Sequence, residues 1–257
     1  YSDLTNSVFK NSDLRGVIMK ELVLENTNFE NVDFSHSSSK NLDFTNTHLQ
    51  NSILTGAYLR ECIFDGTDFS TMKIHGDSLS PTKFVFCSMK DTTFSKIKMS
   101  NIDFTPKDIL VDGVKVVYPG SDLSHSTFTT IDLRTTMFSM WTATAPQVCN
   151  MDKSECKVVD DRTFFNYKFA IPIDIDPFDL VRHSISAVLE HSTFDNVNLS
   201  NNDLTIINLR HSEIIDSNLT NASLKNSDLS FSSIINSDLS GVNLEGANLE
   251  GVILDNV

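Results

Sequence analysis

Val242-Asn243-Leu244-Glu245-Gly246, Ala247-Asn248-Leu249-Glu250-Gly251 and Val252-Ile253-Leu254-Asp255-Asn256 close the chain with one five-residue unit written three times. A small or branched residue comes first. A polar position usually follows, then Leu, then two polar or Gly positions. The same beat runs through the start of the chain. In steps of five from Leu4, the positions read Leu4, Phe9, Leu14, Met19, Leu24, Phe29, Phe34, Ser39 and Phe44, and so on through Leu79 to Phe104. Of that series only Ser39 is not large and apolar, in a chain that is 40% hydrophobic, so chance does not produce it. Two residues before each centre sits a smaller or branched residue, such as Ser2, Ser7, Val17 or Thr27.

A period of five fits neither of the common patterns. A helix wants apolar spacings of three and four, and a strand wants sustained alternation. Apolar residues at a centre and two before it give two inward side chains and then a corner. Pieces this short bury nothing alone, so they must wind into a coil and stack on the next one.

These motifs resemble the pentapeptide-repeat family: a small residue, Asp or Asn, Leu or Phe, then two polar positions. The resemblance is strong over 1–104 and 192–257 and weaker over 121–138. It implies an all-β fold, a right-handed quadrilateral β-helix of about nine coils, with four units per coil. Ser and Thr outnumber Ala before the centre, and Phe is frequent at it, which departs from the most regular members. Four sides per coil place residues twenty apart above one another. One expected column is Leu4, Leu24, Phe44, Phe64, Phe84 and Phe104, a ladder of rings at the strand spacing. Asp77, at an inward place and followed by Pro81, marks an expected distorted corner.

The beat falters after Phe104. Asp112-Gly113 lies between Ile109-Leu110-Val111 and Val114-Lys115-Val116-Val117, which is a hairpin signal. The step from Phe104 to Leu123 is one short of a full coil. Over 105–120, therefore, one coil is irregular or a hairpin replaces one of its sides. The first unit of the fold is read as 1–138.

Residues 139–191 are read as an insertion and 192–257 as a continuation of the same solenoid, in the original phase. Asp176 and Pro177 suit a helix start, and Phe178, Val181, Ile185, Val188 and Leu189 share one face, which predicts a helix near 177–190. Loops on a rigid scaffold tend to carry recognition. Trp141, Phe165, Tyr167, Phe178 and Arg182 are accordingly the candidate partner-binding residues. The competing reading packs these aromatics against the rod.

The chain's net charge of −14 argues against a nucleic-acid-binding face. Residues 192–257 hold nine acids and two bases, the most acidic third. That acidity reads either as a solvated surface or as a match for a basic partner. No apolar run approaches the roughly 18 residues of a membrane span. The chain starts and stops on the repeat, so a fragment of a longer protein is expected.

No catalytic constellation, cofactor motif or metal-ligand spacing emerges. His36, His48, His75, His125 and His211 fall at outward repeat positions. His183 and His191 flank the expected helix. Cys62 and Cys87 fall on inward positions, as buried thiols. Cys149 and Cys156 fit no zinc pattern. The periodic Asp residues suit corners better than acid–base pairs.

The texture is similar to the β-helix domains of secreted bacterial effectors, among them those resembling HECT-type ubiquitin ligases. That resemblance implies a non-catalytic, protein-binding domain delivered to the host cytoplasm, with a host protein as partner. The acidic rod also resembles the quinolone-resistance branch of the fold, which implies DNA mimicry toward gyrase or topoisomerase in the bacterial cytoplasm.

Overall fold

Four short polar corners per turn bend this chain into a stacked coil, and the corner chemistry explains why. A computed structural model describes residues 2–77, 79–105, 121–134, 136–138 and 187–257 in full. It also describes the backbone of the strands Lys107–Val111, Val114–Tyr118, Gln147–Cys149 and Cys156–Val158. At many of the corners the amide three residues after a centre donates to that centre's carbonyl, as from Ser7 to Leu4 (2.9 Å) and from Ser12 to Phe9 (3.0 Å). The residue before that amide is left-handed: Asn6 at φ 58°, Asn11 at 62°, Gly16 at 67°. Asn and Gly tolerate this conformation best. The Asp or Asn before each centre closes the same corner. Its carboxylate or amide oxygen accepts the backbone N–H two residues on, as Asp13 does from Arg15 (3.1 Å) and Asn28 from Glu30 (2.9 Å).

Successive coils pair in parallel on all four faces. One face is a five-stranded sheet of Ile18–Lys20, Ser38–Lys40, Tyr58–Arg60, Thr82–Val85 and Ile102–Asp103. Another is a six-stranded sheet of Thr93–Ser95, Thr127–Thr129, Thr193–Asp195, Glu213–Ile215, Ser233–Ile235 and Ile253–Asp255. The other two faces are ladders of single bridges, such as Ser88 to Asp122 to Val188 to Asn208 to Asp228 to Asn248, apart from the short parallel pair of Ser2–Asp3 with Leu22–Val23. The fold is all-β, with no helix among the described residues. Inside, Phe69, Phe94, Phe128 and Phe194 stack with ring centroids 4.9, 5.0 and 4.9 Å apart. Phe84, Phe104 and Phe138 form a second stack at 5.3 and 5.5 Å.

The vertical register differs from the expected one after the third coil. Asp43 bridges Ile63 at the regular step, but Tyr58 pairs with Lys83 and Ile63 with Ser88, five residues beyond it. The excess lies between Ile74 and Phe84. Leu79, counted as an inward centre, is 94% exposed. Asp77 is also exposed, and its carboxylate accepts the amides of Leu79 (2.8 Å) and Ser80 (2.7 Å). The distorted corner is thus a looped-out one. Phe64 therefore has Met89, not Phe84, as its neighbour in the column. The Phe64 and Phe84 rings are 5.9 Å apart and nearly perpendicular, at 79°.

The hairpin forms where Asp112-Gly113 signalled it: Lys107–Val111 pairs antiparallel with Val114–Tyr118. It does not replace a side. Ser88 bridges Asp122 and Asp103 bridges Met137, a step of 34 residues, so fourteen are added and all four sides remain. The shortfall of one seen in the sequence is five plus fourteen read against twenty.

The second interruption also ends earlier than expected. Val188 bridges Asp122 and Asn208, and Leu189 is fully buried as a repeat centre. Ala187-Val188-Leu189-Glu190-His191 is a repeat unit, so the predicted helix cannot extend through 187–190. Its remaining positions, 177–186, lie outside the described residues. The small Ala187 and the Leu189 two places on satisfy the inward pattern, and stacking on Leu123 and Leu209 outweighs the helical periodicity.

Candidate functional site

Both long interruptions leave the coil at the same corner. In an uninterrupted turn two residues separate the last centre of a coil from the first inward residue of the next. Here 105–120 separate Phe104 from Ser121, and 139–186 separate Phe138 from Ala187. The corner hydrogen bond survives both detours. The Ser121 amide donates to Phe104 (3.1 Å) and the Ala187 amide to Phe138 (2.7 Å). Each inserted segment is therefore held at a closed neck, and the rungs above and below keep their register.

The same corner column reads Glu21, Asn41, Glu61, Phe86, the two interruptions, Ile206, Asn226 and Gly246. Phe86 (φ 52°) and Ile206 (φ 63°) stand where Asn, Gly or Glu stand elsewhere in the column. A bulky or β-branched side chain is strained in left-handed backbone. The two strained apolar corners bracket the rungs that carry the interruptions. Outward positions beside them are shielded: Val85, Asp103, Thr105, Val188, Thr205 and Asn208 are all buried, although their side chains point away from the rod's core. The Asp103 carboxylate is satisfied by the Thr105 amide (3.0 Å) and hydroxyl (2.5 Å).

The partner-binding candidates Trp141, Phe165, Tyr167, Phe178 and Arg182 lie outside the described residues. So does His183. The backbone register of Gln147–Cys149 and Cys156–Val158 sets Cys149 opposite Cys156, a pairing that their sequence spacing did not suggest.

The histidines are less scattered in space than in sequence. His125, His191 and His211 occupy one corner column, with centroids 4.8 and 4.7 Å apart, and Phe231 stacks on His211 at 5.3 Å. His191 was read as flanking a helix; it is a repeat corner. The sequence signal was the interval of one coil from His191 to His211. The link to His125 is hidden by the 46 residues added between coils. Among the described residues no cluster of His, Cys, Asp and Glu fits a metal ion. Cys62 and Cys87 are buried free thiols, as expected, and burial pushes the Cys87 thiol well up.

A family model described as pentapeptide repeats matches the chain in eight copies, over residues 2–38, 41–73 and 212–251. The matched stretches carry that repeat. Solved structures similar to the chain include HetL from the cyanobacterium Nostoc sp. strain PCC 7120, described as involved in heterocyst differentiation regulation. It shares 15% identity over 98% of this chain and 82% of its own, with a TM-score of 0.42. Full-length QnrB1, described as a plasmid-mediated fluoroquinolone resistance protein, shares 15% identity over 93% of each chain, with a TM-score of 0.29. Rfr23 from the cyanobacterium Cyanothece 51142 shares 16% identity over 68% of this chain and 88% of its own, with a TM-score of 0.29. No curated protein sequence matches the chain.

Proposed function

We propose that this chain is a non-catalytic protein-binding scaffold whose recognition surface is the corner carrying both interruptions. The observation that carries the reading is their placement: two unrelated insertions on consecutive coils leave at one corner, each at a hydrogen-bonded neck. In stacked-repeat proteins, insertions collected on one face commonly make the binding surface. The rod supplies rigidity, which lowers the entropic cost of presenting long loops.

The secreted-effector assignment, with a host protein as partner and the host cytoplasm as its place of action, is carried forward as part of this proposal. Its support is the repeat texture, Ser and Thr before the centre and Phe at it. The attribution to a HECT-like ligase rests on the same texture, and its catalytic part would be supplied by a further domain.

The test replaces 139–186 by Asp-Asn, the two corner residues a regular turn needs, and compares the intact and excised proteins. Circular dichroism and melting establish that the coil persists. Crosslinking capture from eukaryotic and bacterial lysates should then yield proteins held by the intact chain and absent from the excised one. Identical captures from a folded, excised protein would end the proposal. Specific capture from the bacterial lysate alone would end the effector part of it.

A further inference from the structure

Phe231 is another strained corner, in a different corner column from the insertions. Its φ is 60°, yet 49% of the residue is exposed. It is accommodated by Gly251 on the next coil, where an added Cβ would come within 2.6 Å of the ring. The ring thus occupies a space that only glycine leaves, stacks on His211, and still presents much of its surface to solvent. An aromatic held in unfavourable backbone and left half exposed points to use.

The adjacent face extends the feature. Its outward residues read Glu213 and Ile215 on one coil, Ser233 and Ile235 on the next, and Ile253 and Asp255 on the last. Asp216 continues the first of these rungs, and Thr193 and Asp195 form the rung above. Ile215 and Ile235 are half-buried and Ile253 is exposed, so a broken apolar strip runs beside Phe231. Among the described residues none of the surrounding carboxylates, Asp195, Glu213, Asp216, Glu250 and Asp255, is in an ion pair. The stretch 192–257 contains only two cations, and one of them, Lys225, is already paired with Glu245 at 3.1 Å. An apolar centre with an acidic, unneutralised rim is complementary to a segment that is apolar on one side and cationic on the other.

We propose that this face of the C-terminal coils docks a basic amphipathic segment of a partner protein, with Phe231 as the apolar anchor and Glu213, Asp216 and Asp255 as its charge partners. A DNA-mimicking role would need the carboxylates alone and would leave the strained aromatic without a purpose. The surface is separate from the insertion corner, so the two can fail independently.

The test measures fluorescence anisotropy of a labelled dodecapeptide of alternating Lys and Leu against the intact chain. Binding is expected, with affinity at least tenfold lower for a Glu–Leu peptide and for a Lys–Ser peptide. Phe231→Asn should weaken the Lys–Leu peptide at least tenfold while leaving the melting temperature unchanged or higher, because Asn is the usual residue at these corners. Glu213→Lys with Asp216→Lys should weaken it similarly and flatten its salt dependence. Phe86→Asn, at the insertion corner, should leave peptide affinity unchanged. Equal binding of the Lys–Ser peptide, or full affinity in Phe231→Asn, would reduce the site to charge adsorption and overturn the proposal. Self-association of the intact chain that is lost in Phe231→Asn, without peptide binding, would assign the face to a second copy and also overturn it.

Discussion

At the scale of single residues the repeat is a set of corner rules with a few exceptions. Ser39 is the clearest. It occupies a centre in the column of Met19 and Leu59, is 1% exposed, and its hydroxyl has no hydrogen-bond partner among the described residues; the same holds for Ser37 on the same strand side. A buried, unsatisfied hydroxyl is destabilising. Ser39→Ala should therefore raise stability by about 1 kcal/mol, read from urea melts. Unchanged or lower stability would mean that the hydroxyl is satisfied in solution. His75 tests the charge environment. Its pKa is lowered, first by burial and then by the Lys98 and Lys73 ammonium groups. The unfolded chain then binds more protons than the folded one as pH falls through the ordinary imidazole range near 6.5. Stability is present above that range and declines as pH drops through it, down to the lower folded value. His75→Gln should make the loss of stability between pH 7.5 and 5 smaller than in the unmodified chain; an equal loss would contradict this. Asp13, held by the Arg15 guanidinium and amide to about 2, should titrate there in a carbon-13 NMR series and return toward 3.8 in Arg15→Leu.

At the scale of elements the strands are only two to five residues long, so pairing and stacking together hold each one. The continuous aromatic column expected over Leu4, Leu24, Phe44, Phe64, Phe84 and Phe104 is broken, and the longest one, Phe69, Phe94, Phe128 and Phe194, lies on the face of the six-stranded sheet. Phe128 sits at its middle, fully buried between Phe94 and Phe194 with interplanar angles of 9° and 4°. Those two contacts span the two long interruptions, so Phe128 joins coils that the sequence separates by 34 and 66 residues. Phe128→Ala should cost about 3–5 kcal/mol, as large-to-small changes in a closed core do. A cost near zero would show that the coils flanking the interruptions are not packed on one another. The element that was legible in advance was the hairpin, because Asp-Gly between β-branched runs is a local signal. The helix was not securely legible. Val188 and Leu189 satisfy a helical stripe and a repeat unit equally well, and only the rungs at Asp122 and Asn208 decide between them.

At the scale of the whole molecule the coil is a one-dimensional stack in which each turn touches only its neighbours. Leu249 and Leu254 in the last coil are 42% and 53% exposed, whereas the central centres Phe104, Leu123 and Phe138 are fully buried. Amide exchange should accordingly be slowest in the central coils and fastest in the first and last. Uniform protection along the chain would contradict a nearest-neighbour stack. The five-residue period, the inward and outward positions, the corner residues and the buried Cys62 and Cys87 were determined by the sequence alone. Each is a local rule: a short side chain for a tight corner, a left-handed site for Asn or Gly, a large apolar group every fifth residue. Which coil lies on which was decided by the tertiary structure. Loops of five, fourteen and forty-six added residues shift the register without disturbing the beat, so a constant step of twenty placed Phe84 over Phe64 and left Leu79 inside. For the same reason the shared exit corner and the stacking of His125 on His191 became visible only in space. Backbone pairing between coils is indifferent to how much chain intervenes, and a period read along the chain cannot count what has been looped out of it.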